Sequence, residues 1–177
     1  MRKITKLSFI LLTSALFAKF AIGTIEYKKV NFSDVMTQDT QILDSSAQKV
    51  TNSVIQNKYV GLFLSASWCG PCKSMGKYLK TYADEHKQFI TIILIGLDKT
   101  EEHHWSYMKS YDNSFFTLPY KHKPFKKLWK VTAQSLGGRY SRGGGILVLL
   151  FYDKKRNFVE GITMDTIKNI NFTPWKK

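Results

Sequence analysis

The sequence predicts an α/β fold with a central mixed β-sheet flanked by helices on both faces. Two apolar runs with a helical pattern between them carry most of that expectation. Tyr59–Ser67 is one short, largely apolar stretch, residues 89–96 are another, and residues 70–87 repeat at a helical period. Strand, helix and strand in that order form a βαβ unit, which implies parallel pairing through a right-handed crossover. A third observation adds antiparallel strands. Val148–Phe151 and Asn157–Gly161, parted by an Asp-Lys-Lys-Arg turn, read as a hairpin.

In chain order, residues 1–23 read as a cleaved secretory signal. Met1–Lys6 is basic, Leu7–Ala18 is apolar or small, and Ala21 and Gly23 supply a small-x-small cleavage site. An uncleaved anchor is the competing reading, but the apolar stretch falls short of the ~20 residues that span a bilayer. A chain beginning near Thr24 in a periplasmic or secreted, oxidising compartment is therefore expected. Residues 24–49 are polar and mixed and read as an N-terminal extension, with Asp44–Gln48 a turn or a short helical start. Residues 50–177 are expected to form one domain. Strands are expected at about 59–66, 89–96, 145–152 and 156–161, and helices at 70–87, 100–111, 124–131 and 164–170.

The 70–87 helix has Met75, Leu79, Tyr82 and Ala83 on a core stripe and Lys73, Lys77 and Lys80 on another face. That lysine face is either a solvated surface or a source of positive potential near the helix start. In the 124–131 segment Phe125, Leu128 and Trp129 give the apolar stripe, so most of the nearby group Lys121, Lys123, Lys126, Lys127 and Lys130 is expected to face water. Five glycines between residues 132 and 145 mark a loop. No Gly-Lys-Ser/Thr follows it, so a phosphate cradle is not expected. His103 and His104 read as surface residues, and His86 and His122 as lying in polar surroundings.

The chemistry concentrates in Trp68-Cys69-Gly70-Pro71-Cys72, which holds the chain's two cysteines. The pentapeptide sits where the first strand gives way to the helix. Unpaired N–H groups and the macrodipole at a helix N-terminus favour negative charge. That lowers a thiol pKa from about 8.5 toward about 7 or below. Cys69 is expected to be an exposed thiolate nucleophile and Cys72, a turn inside, the buried resolving thiol. Pro71 suits a first turn because it has no N–H to leave unpaired. Gly70 and Pro71 set the turn, Trp68 is expected to shield the pair, and Lys73 to support it. A structural disulfide would close too short a loop to stabilise much. A zinc site would need two more ligands, for which adjacent His103 and His104 are poor candidates. No metal and no cofactor are expected.

The flank of this motif, Phe63-Leu-Ser-Ala-Ser-Trp-Cys-Gly-Pro-Cys-Lys73, resembles the tryparedoxin and nucleoredoxin branch of the thioredoxin-like superfamily. Ile93–Glu101 resembles that branch's strand ending in an aspartate, Ser114–Tyr120 its M-P-W-L-A-L-P-F segment, and Phe172–Trp175 its F-P-W ending. The resemblance covers roughly residues 50–175. It implies a thioredoxin-like fold, a reversible Cys69–Cys72 disulfide, a client protein with a disulfide, and an upstream dithiol electron donor. Three departures stand out. Gly-Pro replaces the usual Pro-Pro between the cysteines, and Lys77 stands where a helix proline is expected. Arg142–Val148 lacks the proline that relatives hold in cis opposite the disulfide. Phe63 occupies the position where thioredoxins bury an acid, as is also true of the tryparedoxin branch. Gly144, Gly145 and Ile146, with Arg139, Tyr140 and Arg142 from the glycine-rich loop, are candidate client contacts.

The function expected is an exported thiol–disulfide oxidoreductase, with reductase favoured because Cys-Gly-Pro-Cys resembles reducing thioredoxins. The alternatives are a dedicated reductant in cytochrome c maturation and a weakly active binding module of the same fold. Net charge is +14, which favours acidic partners or anionic surfaces. No nucleic-acid motif accompanies it, so nucleic acid is not an expected partner. A monomer is expected.

Overall fold

The computed structural model describes residues 31–122, 148–162, 173 and 175. It has β1 (Ile42–Leu43), β2 (Lys49–Val50), β3 (Tyr59–Ser65), α1 (Gly70–Glu85), β4 (Ile90–Gly96), α2 (Glu101–Lys109), β5 (Phe115–Thr117), β6 (Val148–Tyr152) and β7 (Phe158–Ile162). The strands form one mixed sheet in the order β2-β1-β5-β4-β3-β6-β7. β3 pairs parallel with β4, and β4 with β5, while β6 runs antiparallel to β3 and to β7. This is the thioredoxin-like α/β fold expected. The helices expected at 124–131 and 164–170 lie outside the described residues.

The two apolar runs become the two central strands because both their faces are covered. Val60 to Ser65 and Ile90 to Ile95 are all buried, as continuous apolar strands of a parallel pair should be. α1 buries Cys72, Met75, Gly76, Leu79 and Ala83, while Tyr82 is half-buried. The helix ends at Glu85 rather than 87 because His86 leaves helical geometry (φ −122°, ψ 19°). His86 then lies among aromatic rings, 5.1 Å from Trp175 and 4.8 Å from Tyr82 between ring centroids. Its surroundings are therefore not polar.

Residues 32–49, part of the 24–49 stretch read from sequence as an extension, contribute to the same core. Phe32, Val35, Met36 and Ile42 are buried, and Leu43 pairs with Thr117 of β5. Asp44 explains the hairpin between β1 and β2. Its carboxylate accepts the N–H of Ser46 at 2.8 Å and of Gln48 at 2.9 Å, an Asx-type turn. Two-residue strands are too short for a period-2 pattern to register. Asp153 does the same for the β6–β7 turn, accepting from Lys155 and Asn157 N–H at 2.8 Å each.

His104 corrects another expectation. It is buried, at 1 % exposed, whereas its neighbour His103 is exposed. Gly96 makes the room, since a Cβ there would fall on the imidazole ring. Thr117 Oγ1 donates its single proton to Leu94 O at 2.8 Å, so His104 Nε2, 3.3 Å away, must be the donor to that hydroxyl. Nδ1 then carries the lone pair, buried and without a hydrogen-bond partner among the described residues. Burial holds the imidazole below its ordinary pKa, against the opposing pull of Asp98 and Glu101. The unfolded chain thus binds a proton that the fold resists, and stability falls as pH drops below about 6.5 toward the native pKa. A urea midpoint measured from pH 7.5 to 5 should decline more steeply in the wild type than in His104→Gln.

Candidate active site

The redox motif is placed by the ends of β3 and β4. The parallel register sets Ser65 beside Gly96, so two residues farther along each chain Ser67 meets Asp98. The Asp98 carboxylate accepts the Ser67 N–H at 2.8 Å and the Ser67 hydroxyl at 2.6 Å through the same oxygen. Asp98 is itself buried, and its other oxygen has no hydrogen-bond partner among the described residues. The loop turns next, with Cys69 N–H donating to Ala66 O at 3.1 Å. Cys69 is the N-cap of α1, in extended geometry, and its Sγ accepts the N–H of Cys72 at 3.2 Å. Pro71 occupies the first turn, as expected.

Cys69 and Cys72 are joined as a disulfide, with Cα atoms 5.2 Å apart. Both are buried, Cys69 at 2 % and Cys72 at 0 % exposed. Cys69 is therefore not an exposed residue in this oxidised state. The bond to Cys72, which belongs to the core stripe of α1, draws its sulfur inward. Trp68 corrects a second expectation. At 54 % exposed it projects to solvent instead of shielding the pair. Gly70, Pro71 and Lys73 are exposed as well, so the support residues form an open rim around a buried bond. His104 Nε2 lies 3.3 Å from Thr117 Oγ1. The candidate client contacts Arg139, Tyr140, Arg142, Gly144, Gly145 and Ile146 lie outside the described residues.

Asp98 is the site residue that residue-by-residue reading passed over. The sequence offers it only as the end of a strand, and its partner Ser67 is 31 residues away. Only the parallel register makes them neighbours. Hydrogen bonds to a charged acceptor contribute about 1.5–3 kcal/mol each. Asp98→Ala, which removes both bonds, should therefore lower unfolding stability by about 3–5 kcal/mol, and Ser67→Ala, which removes one, by about 1.5–3 kcal/mol. The loosened loop should also speed reduction of Cys69–Cys72 by a small dithiol, read by thiol alkylation over time. Equal reduction rates in wild type and Asp98→Ala would show that the contact does not govern access.

Comparison with known proteins agrees with this geometry. Residues 57–135 match the model of a family described as thioredoxin-like. A nucleoredoxin of Xenopus laevis is 29 % identical over 87 residues, covering 48 % of this chain and 19 % of that protein. This chain thus matches only about a fifth of that curated relative's length. Among solved structures, tryparedoxin from Trypanosoma brucei superposes with a TM-score of 0.55 at 22 % identity, covering 81 % of this chain and 96 % of that one. A thioredoxin from Wuchereria bancrofti gives 0.55 at 21 % identity, with 80 % and 92 % covered.

Proposed function

We propose that this chain, whose residues 57–135 are thioredoxin-like and of the tryparedoxin/nucleoredoxin-like kind, is an exported reductase of protein disulfides. One observation carries the reading. The Cys69–Cys72 pair is closed at the N-terminus of α1, with Cys69 as the cap and Cys72 a turn inside. That placement supports distinct roles for the two sulfurs. In the reduced form the helix terminus favours a Cys69 thiolate. The thiolate attacks one sulfur of a client disulfide, and the client's other sulfur leaves as a thiolate. The Cys72 thiolate then attacks Cys69 Sγ, releasing the second client thiol and forming the Cys69–Cys72 bond. Two electrons pass to the client, and an upstream dithiol returns them by the same exchange in reverse.

Export rests on the composition of residues 1–23 and is tested separately. N-terminal sequencing of the protein from expressing cells should find a start near Thr24, and an intact Met1 would overturn export without touching the chemistry. Reduction is tested by insulin precipitation with a dithiol donor, where the wild type should turn over and the double serine variant should not.

A second reading, a binding module of weak redox activity, draws on the 2 % exposure of Cys69. It predicts that a donor reduces Cys69–Cys72 slowly and that insulin turnover stays near background.

A further inference from the structure

Lys73, Lys77 and Lys80 recur at one-turn spacing along α1, and in the fold they form one wall of a groove of about 310 Å³. The opposite wall comes from α2 and the residues just after it, through Ser106, Ser110 and Tyr111, and Ser67 lies at the redox end. The lysines are not equivalent. Lys80 is paired with Asp84 at 3.0 Å and Asp112 at 3.4 Å. Lys73 and Lys77 are exposed and have no carboxylate within ion-pair distance among the described residues. Two unneutralised ammonium groups, on side chains rooted about 5–6 Å apart, thus line the groove together with the exposed Ser106 and Ser110.

We propose that this groove binds an acidic stretch of a client polypeptide and so holds the client next to Cys69–Cys72. The inference rests on the reading of the chain as a reductase of protein disulfides. Carboxylates match the groove's chemistry, because the two ammonium groups donate to them, and the exposed Ser106 hydroxyl adds a further donor. Acidic side chains spaced along an extended segment could meet Lys73 and Lys77 together. Single-stranded nucleic acid fits less well. Tyr107 and Tyr111 are buried and offer no open ring on which bases could stack. A net charge of +14 also favours approach of an acidic partner. Lys73 directly follows Cys72, so a segment seated in the groove lies at the edge of the redox site.

The test uses the full chain and a cysteine-free, glutamate-rich peptide, followed by fluorescence anisotropy at low and high salt. Lys73→Gln/Lys77→Gln should weaken binding about tenfold, while Lys49→Gln/Lys154→Gln, which removes equal charge elsewhere, should leave it within about twofold. Added salt should weaken wild-type binding. Two disulfide-bonded peptides, one with glutamate and one with glutamine flanks, give the second readout. The wild type should reduce the glutamate peptide several-fold faster, and that ratio should fall to about one in Lys73→Gln/Lys77→Gln. Equal weakening in both double variants would reduce the effect to net charge and overturn the proposal. So would tighter binding of a single-stranded oligonucleotide of matched charge. Groove-dependent peptide binding with neither disulfide reduced would sink the reductase reading while supporting the groove assignment.

Discussion

Cys72→Ser is expected to trap client proteins as mixed disulfides that survive non-reducing electrophoresis, whereas Cys69→Ser traps none. The asymmetry follows from helix polarity. Cys69 caps α1 and its sulfur already accepts the N–H of Cys72, so charge on that sulfur meets the positive end of the helix. Cys72 lies a turn inside, fully buried on the core stripe, where a charged sulfur is disfavoured. Removing Cys72 leaves the first attack intact and takes away the escape from the mixed disulfide. Removing Cys69 takes away the attack itself, and turnover should fall on the order of a thousandfold or more. Capture by Cys69→Ser, with none by Cys72→Ser, would reverse the roles.

Phe63→Ala should be among the most damaging single changes away from the cysteines. Phe63 is completely buried on β3, between Leu94 of β4 and Leu149 of β6. Its ring meets Phe115 edge to face, with centroids 6.1 Å apart. Truncating such a side chain leaves a cavity that a sheet paired on both edges cannot close, and costs about 3–5 kcal/mol. In a chain of this size that is a fall in midpoint temperature of roughly 6–20 °C. Val159→Ala on the outer strand β7, where the side chain is 41 % exposed, should stay within about 0.5 kcal/mol. Thermal and urea unfolding of both variants checks the contrast. Similar losses at the two positions would mean that β3 is not the centre of the core.

Much of this was legible in local patterns. Tyr59–Ser65 and Ile90–Gly96 are largely apolar runs because each is covered on both faces, and α1 shows its helical stripe because one face alone is buried. The redox pair was legible for the same reason, since a cysteine at a strand-to-helix junction inherits the helix terminus whatever the rest of the chain does. Short elements were not legible. β1, β2 and β5 have two or three residues each, and they exist because a neighbour offers a ladder and Asp44 closes the turn.

By itself, then, the sequence determined the βαβ core and the site of the disulfide at the start of α1, both consequences of patterns within a few residues. The tertiary structure alone decided which polar groups are buried and which charges are met. His104 is inside because Gly96, on an adjacent element, leaves its ring a place. Asp98 holds Ser67 because two strands run in parallel register. Lys80 is neutralised while Lys73 and Lys77 are not, because Asp112 comes to α1 from beyond α2. Each of these turns on how separate elements are set against one another, which no local pattern encodes.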